Sequence, residues 1–106
     1  MPKRSRPYEI GLNERLRDPN YAIGYLNAMW EDSVEGFLLA LRQVASAREG
    51  MAELADSAGL NRENLYRMLS EEGNPRLNSF ASVLGALGIK PKFELVEPET
   101  VSPRRS

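Results

Sequence analysis

The sequence predicts an all-α domain of five helices, with a short strand after the last of them. Three observations carry this expectation. Apolar residues recur at spacings of three and four between residues 22 and 87. Asp18, Ser33, Asn61 and Asn78 stand just before helical stretches, where a helix start needs a side-chain acceptor, and Gly50, Gly59 and Gly88 stand just after them. Beyond Gly88 the pattern changes to alternation, the period of a strand.

The elements follow in order. Residues 1–17 read as a flexible basic N-terminal arm: residues 1–7 show no apolar period, and Lys3, Arg4, Arg6, Arg15 and Arg17 outnumber Glu9 and Glu14. The first helix opens at Asp18-Pro19, because proline suits a first-turn position whose N–H lacks a partner anyway. Ala22, Tyr25, Leu26 and Met29 continue it to about Asp32. The second begins after Ser33, runs on a stripe of Val34, Phe37, Leu38, Leu41, Val44 and Ala45, and stops at Gly50. The third and fourth lie within residues 51–70. The fifth has Asn78 as its expected cap, Phe80, Val83, Leu84 and Leu87 as its apolar face, and Gly88 as its stop. Residues 92–97, with Phe93 and Leu95 alternating against Lys92 and Glu94, read as a short strand that Pro91 confines to an edge. Its partner is expected to be residues 8–10 or the same strand of a second copy. Residues 98–106 read as a disordered tail, which leaves residues 18–97 as the domain.

Composition closes off several kinds of chemistry. The chain has no cysteine and no histidine, which removes disulfides, thiolate and imidazole metal sites, and histidine-based catalysis. Ser57 and Ser70 have no base to activate them, and no cofactor signature is present, so the chain is not expected to be an enzyme or to hold a metal. No apolar run approaches the roughly 20 residues of a membrane helix. The basic start leads into Pro7, Tyr8 and Glu9, unlike a secretion signal, and a cytoplasmic location is expected. The formal net charge of −1 runs against a nucleic-acid partner, since such domains are usually basic.

The informative stretch is residues 51–70, M-A-E-L-A-D-S-A-G-L-N-R-E-N-L-Y-R-M-L-S. A helix-turn-helix needs a small residue where its helices cross, and Ala55 supplies it. It needs a residue that accepts positive φ in the turn, and Gly59 supplies that four positions later. Leu54, Ala58, Leu60, Leu65 and Met68 fall where the two helices must be locked together, and Asn61 caps the second. That helix would then present Asn61, Arg62, Asn64, Tyr66 and Arg67 to the major groove, where Arg pairs with guanine and Asn with adenine. Arg76 and Asn78, at the start of the last helix, make a phosphate clamp. Against this reading, acidic residues outnumber basic ones over residues 48–80, and an exposed polar helix face is more often simply solvated.

The segments at 17–28 (R-D-P-N-Y-A-I-G-Y-L-N-A), 37–48, 51–70 and 73–89 (G-N-P-R-L-N-S-F-A-S-V-L-G-A-L-G-I) together resemble the addiction-module antidote family, related to HigA-type antitoxins and phage-repressor-like (XRE-type) helix-turn-helix proteins. The pieces that carry the resemblance are Tyr25-Leu26, the A-x-x-A-G-L-x-R-E-x-L-Y-R-x-L core from Ala55 to Leu69, and the G-N-P loop. The resemblance implies an antitoxin that blocks a small RelE/HigB-like toxin. It also implies a homodimer that represses its own promoter by binding double-stranded DNA at a palindromic operator. The long toxin-wrapping tail of better-known antitoxins is not seen, which directs the expected toxin contact to residues 8–29, with Tyr8, Leu12, Tyr21 and Trp30 as candidates. Aromatics at helical spacing are usually packed, so Tyr25, Leu26 and Trp30 are expected in the core. Two other readings stand beside this one: a stand-alone phage-type repressor, and a helical interaction module that does not bind DNA. The last helix and residues 92–97 are the expected dimer surface.

Overall fold

A computed structural model describes residues 7–70 and 73–97, with side chains from Gly11 onward. Six helices follow one another: α1 (Pro7–Arg15), α2 (Pro19–Asp32), α3 (Val34–Arg48), α4 (Met51–Ala58), α5 (Arg62–Met68) and α6 (Leu77–Leu87). The described residues contain no strand.

Local chemistry sets most helix ends where the sequence places them. The Asp18 carboxylate accepts from the Asn20 N–H at 3.1 Å and Pro19 opens α2. The Ser33 hydroxyl accepts from the Gly36 N–H at 2.9 Å and starts α3. Gly50 lies at φ +91° between α3 and α4, a region that other residues adopt only with strain. Gly88 ends α6 at φ +77°, while Ile89 N–H donates back to the Leu84 carbonyl at 2.8 Å.

Three expectations are corrected. Residues 7–15 are helical rather than part of a flexible arm, so the helices number six. The physical reason is Leu12 and Leu16: four residues apart, they are 5% and 0% exposed, and α1 packs on α3. Residues 1–6 and 98–106 lie outside the described residues. The segment at 92–97 pairs with no strand among the described residues, because residues 8–10, one of its two expected partners, are taken up in α1. The N-cap position of α6 is held by Arg76, not Asn78, so the helix begins two residues earlier than expected, at Leu77.

The core is a single apolar cluster. Leu16, Leu41, Val44, Leu54, Leu65, Leu69 and Val83 are fully enclosed, and no described polar or charged residue is buried with them. The helix contacts run α2 on α3, α1 and α4 on α3, and both α5 and α6 on α4. Thus α3 anchors the N-terminal half and α4 the C-terminal half. Among the described residues no helix is long and apolar enough to cross a membrane.

Candidate nucleic-acid interface

The α4–α5 pair is built around its turn. Gly59 sits in the left-handed region at φ +69°, ψ 34°. Its N–H donates to the Asp56 carbonyl at 3.1 Å, and Leu60 N–H donates to the Ala55 carbonyl at 2.8 Å. These two hydrogen bonds satisfy the Ala55 and Asp56 carbonyls near the end of α4 and close the turn into α5. Asn61 then caps α5, its side-chain oxygen accepting from the Asn64 N–H at 3.2 Å. On α4, Met51, Leu54 and Ala55 are buried, and on α5 Leu65 and Met68 are buried, followed by Leu69. These positions leave α5 one face for the core and one for solvent.

The solvent face of α5 holds Arg62, Glu63, Asn64, Tyr66 and Arg67, all exposed, with Asn61 exposed at its start. The structure therefore brings five of the seven candidate residues onto one helix and its cap. Arg76 and Asn78 are also exposed but stand at the N-terminus of α6, beyond an intervening loop. No side chain caps α6, so its first N–H groups point outward without a side-chain acceptor.

Several of these side chains are already ordered by neighbours. Arg67 Nη1 donates to the Asn64 side-chain oxygen at 3.2 Å, one turn earlier. The Arg42 guanidinium of α3 lies 4.9 Å from the centre of the Tyr66 ring, a cation–π contact that fixes the ring from outside α5. Sequence patterning had no signal for Arg42, a half-buried polar residue of α3 that lies outside its apolar stripe and that no spacing marks. The partner supplies the meaning, and the partner is twenty-four residues away in sequence.

A second surface lies where α2, α3 and α6 bring aromatic rings together. Trp30 packs edge-on against Phe37, ring centres 5.2 Å apart, and Phe37 meets Phe80 at 6.0 Å. Together with Val34 and Pro75 these rings line an open apolar groove of about 220 Å³. Trp30 was expected in the core, yet it is 57% exposed: its ring caps Phe37 at the rim instead of entering the cluster. Leu26 is buried as expected, and Tyr25 is half-buried with its hydroxyl donating to Gln43 Oε1 at 2.6 Å. Of the expected toxin-facing residues, Tyr21 is exposed beside Arg15, whose guanidinium lies 5.5 Å from the ring centre, whereas Leu12 is core. The Tyr8 side chain lies outside the described residues.

Residues 7–95 match the family described as probable addiction module antidote protein. The chain belongs to that family. It is also similar to an uncharacterized protein of Haemophilus influenzae, strain Rd, at 42% identity over 67 residues, covering 62% of this chain and 68% of the relative. No solved structure matches significantly. The family match takes in α1. An antidote acts on a toxin, so membership in this family gives the chain a toxin partner in general terms.

Proposed function

We propose that the chain is the DNA-binding antitoxin of a type II toxin–antitoxin module. It neutralises a small RelE/HigB-like toxin by binding it, without catalysis, and it represses its own operon as a homodimer on a palindromic operator. Family membership supports the antitoxin half of this reading. One observation carries the DNA half: α5 is a capped helix, tied to α4 by a tight glycine turn, whose outward face is Arg62, Asn64, Tyr66 and Arg67. A helix-turn-helix reads the major groove with the N-terminal part of such a helix.

In this reading Arg62 and Arg67 reach base edges, and Asn64 holds Arg67 in place from one turn earlier. Tyr66, steadied by Arg42, lies along the groove wall. Arg76, Asn78 and the uncapped first turn of α6 take a phosphate. The toxin meets the α1–α2 side, where Tyr21, Ile23 and Trp30 are 39%, 40% and 57% exposed.

The test is a fluorescence-anisotropy titration against the DNA immediately upstream of the gene, at two salt concentrations with random-sequence competitor. Tight, salt-sensitive and competitor-resistant binding is expected. Binding no tighter than to random DNA would instead favour the interaction-module reading, to which the acidic surplus over residues 48–80 lends weight. Co-purification with the product of the neighbouring small gene separates an antitoxin from a stand-alone repressor.

A further inference from the structure

The described chain ends in a segment whose side chains and backbone are unusually bare. Phe93 is 93% exposed, Leu95 99% and Val96 62%. Residues 90–96 contain no helix, turn or bend, and among the described residues none of their backbone groups has a backbone hydrogen-bond partner. The start of the segment is nevertheless fixed, because Ile89 packs against the core and bonds back to Leu84. An anchored segment whose N–H and C=O groups have no backbone partner among the described residues, and whose apolar side chains alternate, has the character of a strand lacking a neighbour.

We propose that this neighbour is the same segment of a second copy, paired antiparallel with Phe93 opposite its own symmetry mate. The proposal rests on the homodimer reading above and assigns its surface and register.

The register follows from charge. In an antiparallel pair, residues directly opposite share one face of the sheet. A two-fold axis at Phe93 sets Lys92 opposite the partner's Glu94, and by symmetry Glu94 opposite the partner's Lys92. It also sets Pro91 opposite the partner's Leu95. One face then holds Pro91, Phe93 and Leu95 from both copies, and the other holds the two Lys–Glu pairs. An axis one residue earlier puts Lys92 against its own mate, and one residue later puts Glu94 against its own mate, each a like-charge contact. Axes between residues set Phe93 opposite a charged side chain.

Proline agrees with this choice. If Phe93 occupies a non-hydrogen-bonded site, so does Pro91 two residues away, and its missing N–H faces the open edge where no bond is lost. The Lys92–Glu94 and Lys90–Val96 pairs then carry the ladder, about eight bonds in all, two for each of four pairs. A lone two-stranded ribbon is weak, so the dimer should dissociate on dilution.

The test is sedimentation equilibrium of the full chain over a concentration series, with no DNA present. The wild type, Lys92→Glu, Glu94→Lys and the double exchange are compared, with circular dichroism to show that each variant folds. Each single change converts both Lys–Glu pairs of the dimer to like-charge pairs, so the dimer constant should weaken roughly tenfold. The double exchange should restore it. Single changes without effect, or a double exchange as weak as the singles, would overturn the register while leaving a dimer through another surface. A wild type that stays monomeric would overturn the self-pairing and the dimer reading together, leaving the DNA titration to judge the repressor reading separately. Protection of residues 90–96 from proteolysis only when toxin is added to a monomeric chain would give the strand to the toxin and likewise overturn the proposal.

Discussion

Gly59 shows how much a single residue can hold. Its φ of +69° lets two backbone N–H groups return to the end of α4, and the direction of α5 depends on that reversal. An added Cβ would meet no atom within 4 Å, so the demand is on the backbone angle rather than on space. Gly59→Val should therefore cost about 1–3 kcal/mol of stability in urea unfolding, while Gly59→Asn, which tolerates the left-handed region, should cost much less. Equal losses from the two would show that side-chain bulk is the cause. Gly73 makes the opposite demand. A Cβ there would overlap the backbone carbonyl of Met68, so the chain after α5 must approach that helix too closely for any side chain. Gly73→Ala is expected to destabilise by about 1–3 kcal/mol through a forced backbone shift, and an unchanged urea midpoint would refute the close approach. The same glycine opens the G-N-P loop singled out from sequence.

At the scale of elements, legibility follows the strength of local chemistry. Helices α2, α3 and α4, and the start of α5, begin or end on caps that one residue type supplies, so Asp18, Ser33, Gly59 and Asn61 could be read directly. The first helix could not be read so easily, because Gly11 sits in its middle and its apolar face is thin. Only the Leu12–Leu16 pair points to it, and a spacing of four within an otherwise polar stretch is a faint mark. The expected strand is left without a neighbour in the single chain for a complementary reason. Alternation states that a segment is able to pair, but pairing needs a partner, and residues 8–10 were committed to α1. The cap of α6 was misplaced because Asn78 has the better chemistry for the role, whereas the Pro75 loop brings the chain in one residue pair earlier. If α1 is held to the body by Leu12 and by Leu16 just after its end, Leu16→Ala should cost about 3 kcal/mol, since a fully enclosed leucine leaves a cavity when truncated. A melting temperature lowered by less than about 5 °C would mean that α1 contributes little to the fold.

The whole molecule poses an electrostatic question, because under the proposed function a net charge of −1 would have to approach a polyanion. Long-range attraction is then weak, and affinity depends on where the arginines of the candidate interface stand. The structure separates them into two groups. Arg62 and Arg67 lie on the exposed face of α5, and Arg76 stands at the N-terminus of α6 without capping it through its side chain. Under the proposed reading these groups act differently. A base-reading arginine contributes to discrimination, while a phosphate-binding one contributes equally on every sequence and releases counterions. Arg62→Ala or Arg67→Ala should thus weaken operator binding by about 1–3 kcal/mol and narrow the gap between operator and random DNA. For Arg67 the loss also frees the Asn64 side chain, whose oxygen it now occupies. Arg76→Ala should weaken both DNAs alike and lower the slope of log affinity against log salt by about one. Anisotropy titrations of the three variants on both DNAs, at four or so salt concentrations, read out all of these quantities. Should Arg76→Ala narrow the specificity gap while the α5 variants shift only the salt slope, the two groups would exchange roles, and the groove-reading element would be the start of α6.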